Sequence, residues 1–97
     1  MILEVATLDV RPDLGPEFEK AFAKAEPIIT SMPGYERHEM RRGIENRDRY
    51  VLLVWWADLE SHTVGFRQSP RYQEWRELLH HFYDPPPQVS HYRDVLG

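Results

Sequence analysis

The run Tyr50-Val51-Leu52-Leu53-Val54-Trp55-Trp56 carries no charged or amide side chain on either of its alternating sets. β-Branched and aromatic residues packed this densely read as a strand, and a strand apolar on both sides must be covered on both sides. A sheet with helices on one face and water on the other would alternate. The chain therefore needs a helical layer for one face and a different cover for the second.

The other segments supply three more strands and two helices. From Ile2 to Val10 the residues Ile2, Glu4, Ala6, Leu8 and Val10 share one face, and Leu3, Val5, Thr7 and Asp9 the other, which is strand periodicity. Past Arg11-Pro12-Asp13, from about Gly15, the apolar positions Phe18, Ala21, Phe22, Ala25, Ile28 and Ile29 follow helical spacing. Pro27 predicts a kink or a weakened last turn before Met32-Pro33-Gly34 stops that helix. Tyr35 to Arg42 and Arg49 to Trp56 flank the turn residues Gly43 to Asp48 and read as a hairpin. Its arginines interleave with Glu36, Glu39, Glu45 and Asp48, the pattern of a solvated, salt-bridged arm. Asp58 predicts a cap for a short helix through Leu59, Ser61 and His62. Ser69-Pro70 opens a second helical stretch bearing Tyr72, Trp75, Leu78, Leu79 and Phe82. Asp84-Pro85-Pro86-Pro87 reads as an extended crossover before a last strand, Val89 to Leu96.

The resulting order, β-α-β-β-α-β, is an α+β, ferredoxin-like split arrangement: an antiparallel sheet with both helices on one face. At 97 residues the chain suits one domain, 1–97, because two would each lack a core. The open face then presents Leu3, Val5 and one side of the third strand. That is an apolar patch of roughly several hundred Å², the size that marks an interaction surface. A second copy laid against it would bury it, so a homodimer is expected.

Composition narrows the chemistry. There is no cysteine, which removes disulfides, thiolate nucleophiles and Cys-type metal sites. A formal charge of −4 gives no net positive field to gather phosphates, so nucleic acid is not an expected partner. No apolar run approaches the ~20 residues that span a bilayer, and the start lacks a basic leader followed by a long apolar stretch. The expected setting is cytoplasmic, without a membrane partner. His38, His80, His81 and His91 show no His-x-His or His-x₃-His spacing, so a metal site is not expected.

Three segments carry a resemblance: Tyr50 to Asp58, Phe66-Arg67-Gln68-Ser69-Pro70-Arg71-Tyr72, and Pro85-Pro86-Pro87-Gln88-Val89-Ser90-His91-Tyr92. With the spacing Trp56, Asp58, Phe66, Ser69, Tyr72 and the strand order, the chain resembles the antibiotic biosynthesis monooxygenase (ABM) domains, which are dimeric α+β barrels. The resemblance implies a small aromatic or hydrophobic ligand. The family's haem-degrading branch uses an Asn, a Trp and a His ligand at positions that fall on Ala6, Phe66 and Arg76 here, so all three are replaced. Its polyketide-quinone oxygenase branch uses Asn, Trp, Tyr and Arg at positions that fall on Leu52, Trp56, His62 and Arg76, so two of the four are kept. The implied activity is a cofactor-independent monooxygenase acting on a planar phenolic, quinol or anthrone-like molecule, with no cofactor. The alternatives are a non-catalytic dimeric domain that binds a small hydrophobic ligand, and a haem-binding relative.

Within that reading His62 is the candidate base, with Asp58 four residues earlier as its orienter. Otherwise the two form a surface helix pair of little energy. Arg76 stabilises a phenolate if it points inward and meets only Glu77 or water if it points outward. Trp56 forms a stacking wall or fills the core. Phe66, Tyr72 and Leu52 shape the cavity. Glu4 either lies in a cavity between sheet and helix, where desolvation raises its pKa, or reaches solvent at the strand's start.

Overall fold

The computed structural model describes residues 1–96. Strand β1 (Ile2–Asp9) leads into helix α1 (Gly15–Thr30), then the hairpin β2 (Tyr35–Arg42) and β3 (Arg49–Trp56). A π-helical segment (Ser61–Phe66), helix α2 (Pro70–Leu79), a 3₁₀ turn (His80–Phe82) and strand β4 (Gln88–Arg93) complete the chain. The sheet is antiparallel in the order β2-β3-β1-β4. This is the expected split β-α-β-β-α-β arrangement, and no helix of the described residues is long and apolar enough to cross a membrane.

The apolar strand behaves as its composition demands. Tyr50, Leu52, Val54 and Trp56 point into the helical layer and are buried, Val54 and Trp56 completely. Val51, Leu53 and Trp55 point the other way and are half-buried. In register beside them lie Thr7, Val5 and Leu3 of β1, also half-buried, so the apolar outer face runs across both central strands.

Phe18, Phe22, Ala25, Ile28 and Ile29 of α1 close over the inner face. The helix runs through Pro27 to Thr30 and stops before Met32-Pro33-Gly34. Pro27 is exposed and lies near the C-terminal end, where the missing N–H costs one bond of the last turns. Helix α2 starts as expected. Ser69 Oγ accepts from Tyr72 N at 3.3 Å and Pro70 takes the first helical position. Gly34 has φ 86°, and a Cβ there would collide with the Ser61 side chain, so only glycine lets β2 start against the π-helical segment. Strand β4 is shorter than expected, ending at Arg93, and Val95 and Leu96 beyond it are almost fully exposed. Pairing stops there because β1 begins at Ile2, opposite Arg93.

Candidate active site

Strand register brings the polar residues of the interior together. Glu4 lies opposite Val54 on one side and His91 on the other, and Trp56 is the diagonal neighbour two positions beyond Val54. Trp56 Nε1 donates to Glu4 Oε1 at 2.9 Å. His62 descends onto both, its ring stacked on Trp56 at 5.4 Å and 18°. His62 Nε2 lies 3.4 Å from Glu4 Oε1, and its Nδ1 is 2.8 Å from His91 Nε2. Glu4, His62 and Trp56 are all nearly sealed from solvent.

Burial dominates the electrostatics of this cluster. Desolvation lifts Glu4 from its ordinary 4.5 to about 6, against the opposing pull of the Trp56 hydrogen bond and the Arg67 charge. His62 is pushed down from 6.5 to about 3 by desolvation, then by Arg67 and His91. The same burial, with Arg67, lowers His91. Near neutral pH the pair is therefore a carboxylate beside an uncharged imidazole, not an ion pair.

A cavity of about 50 Å³ opens beside the cluster, lined by Glu4, His62, Arg67 and a surround that includes Ala6, Leu52 and Phe66. That is room for a few waters or a small polar head. Six of its lining residues, Arg67, Tyr72, His80, Tyr83, Pro87 and Val89, also line an outer groove of about 430 Å³. The site thus has two compartments, a tight inner one holding the ionisable groups and a wider outer one between α2 and the proline-rich crossover.

The side chains singled out in the sequence divide between these places. Glu4, His62, Leu52, Phe66 and Tyr72 line the inner cavity. Trp56 does not; it is covered by His62 and acts on the cavity through Glu4. Arg76 is exposed and reaches only the outer groove, beside Asp84 and Pro86. Asp58 does not orient His62, because its Oδ1 accepts from Ser61 N and Ser61 Oγ, both at 2.7 Å; the imidazole is oriented by His91 and Trp56 instead.

Sequence reasoning missed Arg67 and His91. Arg67 is brought in by the π-helical turn, whose bond from Arg67 N to His62 O spans five residues at 3.1 Å. On an α-helix five positions rotate a side chain by about 140°, whereas the wider π turn returns it towards the side of His62. The only signal was its position next to Phe66 in the 66–72 stretch. His91 is placed by β4 register, which spacing cannot reveal.

Among the described residues no three or more His, Asp or Glu side chains converge on a metal position; the His62 and His91 nitrogens point at each other. A haem fits poorly. The cavity is smaller than a macrocycle, Ala6 and Phe66 offer no polar group to it, and both nitrogens of His62 face other protein groups.

An antiparallel β2-β3-β1-β4 sheet with both helices on one face defines the ferredoxin-like class of fold. The family model of the antibiotic biosynthesis monooxygenases matches residues 1–78, and the chain belongs to this family. It is 50% identical over 95 residues to YczJ of Bacillus subtilis, an uncharacterised protein, covering 98% of this chain and all of that one. A Bordetella bronchiseptica structure classed with the antibiotic biosynthesis monooxygenases superposes with a TM-score of 0.93 at 38% identity, covering 97% of this chain and 96% of that one. The fold also matches SnoaB, a cofactor-independent oxygenase from Streptomyces nogalater, with a TM-score of 0.79 at 21% identity over 96% of this chain and 91% of that one. A haem oxygenase (mycobilin-producing) of Mycobacterium tuberculosis is 25% identical over 60 residues, 62% of this chain and 57% of that one.

Proposed function

We propose that this chain is a cofactor-independent monooxygenase for a planar phenolic, quinol or anthrone-like molecule. The observation that carries the reading is the pair of adjoining spaces, an outer groove of about 430 Å³ in which Tyr72, Tyr83, Pro86, Pro87 and Val89 lie among Arg67, Arg76, His80 and Asp84, and beside it a small cavity holding one buried carboxylate. An electron-rich ring in the outer groove directs its hydroxyl or acidic C–H inward, where it loses its proton to the Glu4–His62 cluster. Arg67, at the junction of the compartments, faces the resulting anion. The carbanion or phenolate then reduces dioxygen directly, so the protein supplies a base, an anion partner and a water-poor space. Arg76 contacts the ligand's outer end.

The reading is tested by oxygen uptake with dihydroxynaphthalenes and anthrones on metal-stripped protein. Consumption above the buffer rate, reduced in Arg67→Ala, is expected. A rate equal to buffer for the native chain overturns it and leaves the second reading, a domain that binds a small hydrophobic ligand without chemistry. That reading is favoured by Leu52, which turns an apolar side chain inward at a position where the oxygenase branch is polar.

We further propose that the working unit is a homodimer joined through the outer sheet face. Leu3, Val5, Val51, Leu53 and Trp55 support this, because a face this apolar is stable when a second sheet covers it.

A further inference from the structure

We propose that Glu4 itself is the acid–base residue of the cavity and that His62, the residue the sequence pattern favours as base, acts only by positioning it. The inference deepens the oxygenase reading and rests on it for the identity of the ligand class, though not for the geometry.

The two oxygens of Glu4 have different surroundings. Oε1 is fixed by the Trp56 indole N–H at 2.9 Å and flanked by His62 Nε2. Oε2 makes no hydrogen bond among the described residues, yet no buried side-chain oxygen or nitrogen there is left without a partner. Oε2 is therefore not sealed in protein, and the space that Glu4 lines is the cavity. His62 is the reverse case. One nitrogen faces His91, the other faces Glu4, and one ring face is covered by Trp56, so no lone pair is directed at a ligand. The groups facing Glu4 are His91 from β4, His62 from the π-helical segment, Arg67 at its C-terminal cap, and the uncharged Trp56 from β3.

In the step so defined, a phenolic O–H bond of the ligand breaks, its electron pair stays on the ligand oxygen, and the proton goes to Glu4 Oε2. Nothing is oxidised or reduced in this step. The phenolate is left facing Arg67. A carboxylate whose proton affinity is raised by burial is suited to take and return that proton near neutral pH.

The experiment uses 2-naphthol, whose hydroxyl becomes a strong acid in the excited state and whose ionised form emits at longer wavelength. Bound anaerobically to the native chain at pH 7.5, it should show a larger naphtholate share than free 2-naphthol in the same buffer, which ionises partly to water. Glu4→Gln keeps the length and the acceptor for Trp56, and should lower the naphtholate share to that of free 2-naphthol or below while still binding. His62→Asn should retain the larger naphtholate share. In parallel oxygen-uptake assays Glu4→Gln should lose about 100-fold or more in kcat, the scale of a lost general base, and His62→Asn about 10-fold or less. The larger naphtholate share without oxygen uptake would sink the oxygenase reading and uphold Glu4 as acceptor. Oxygen uptake or a larger naphtholate share that survives in Glu4→Gln, or vanishes in His62→Asn alone, would overturn Glu4 and leave the oxygenase reading intact. Failure of the native chain to bind 2-naphthol at all would overturn both.

Discussion

Trp56 donates its indole N–H to Glu4 Oε1 at 2.9 Å across 52 positions of sequence, so the largest side chain of the apolar strand also holds the one carboxylate buried in the cavity. A hydrogen bond to the ionised form favours that form. Trp56→Phe should therefore raise Glu4 further above its value of about 6, measured by ¹³C NMR titration of the Glu4 carboxyl. The same change should cost about 1–3 kcal/mol for a buried acceptor left unpaired, with a further loss for the unfilled volume.

The pH dependence of stability follows from the directions of the two shifts. Glu4 has a folded-state pKa above its unfolded value, so its contribution is fully present below 4.5 and is lost as pH rises through about 6. A change from 4.5 to about 6 corresponds to about 2 kcal/mol. His62 runs the other way. Its folded pKa is depressed, so its contribution is present above 6.5 and is lost as pH falls towards about 3. The two oppose each other between 4.5 and 6, and below 4.5 only the loss from His62 continues. Urea unfolding of Glu4→Gln should show stability falling steadily as pH drops from 6.5 to 4.5, the His62 loss no longer being offset by Glu4, and the variant should gain about 2 kcal/mol relative to the native chain at pH 8. His62→Asn should lose the acid-side decline.

Arg67 and Arg76 should separate cleanly. The Arg67 charge lowers Glu4, His62 and His91 alike. Arg67→Ala should thus raise all three in NMR titrations and weaken binding of a phenolate ligand. Arg76→Ala, changing only the outer groove, should leave the Glu4 titration where it is.

On the outer face Val5 and Leu53 are directly paired across β1 and β3. A lysine at either place puts a charge at the centre of the proposed dimer contact while leaving the inner core untouched. Leu53→Lys should sediment as a single chain at concentrations where the native protein sediments as a pair, with an unchanged far-UV spectrum. Single-chain sedimentation of the native protein would remove the dimer.

Ser69 Oγ accepts from Tyr72 N and donates to Phe66 O at 2.8 Å, linking the π-helical segment to α2. Ser69→Ala should cost about 1 kcal/mol, a fall in Tm of about 4–8 °C for a chain of this size. Because Phe66 and Tyr72 line the cavity, ligand affinity should fall with it.

Element order, the hairpin bounds Tyr35–Arg42 and Arg49–Trp56, the Ser69-Pro70 helix start and the inward face of β1 were all legible in the sequence. Each depends on periodicity or on a local backbone rule, and those act over a few neighbouring residues. The last strand was read as ending three residues too late, at Leu96 instead of Arg93, because its end depends on where β1 begins. The sequence marked Pro27 as a kink or a weakened last turn, and the helix continues past it to Thr30 because one missing bond near an exposed helix end is small against the burial of Ile28 and Ile29.

The sequence by itself determined that one strand is apolar on both sides, that a helical layer takes one side, and that Glu4 shares a face with Ala6 and Leu8. Only the tertiary structure decided the site. Strand register set Glu4 between Trp56 and His91, and a π turn brought Arg67 rather than Arg76 to the cavity. Packing left Glu4 Oε2 open while closing both nitrogens of His62. Register and helix rotation arise from contacts between distant segments, and side-chain direction at such contacts is fixed by three-dimensional packing, which leaves no periodic trace in the chain.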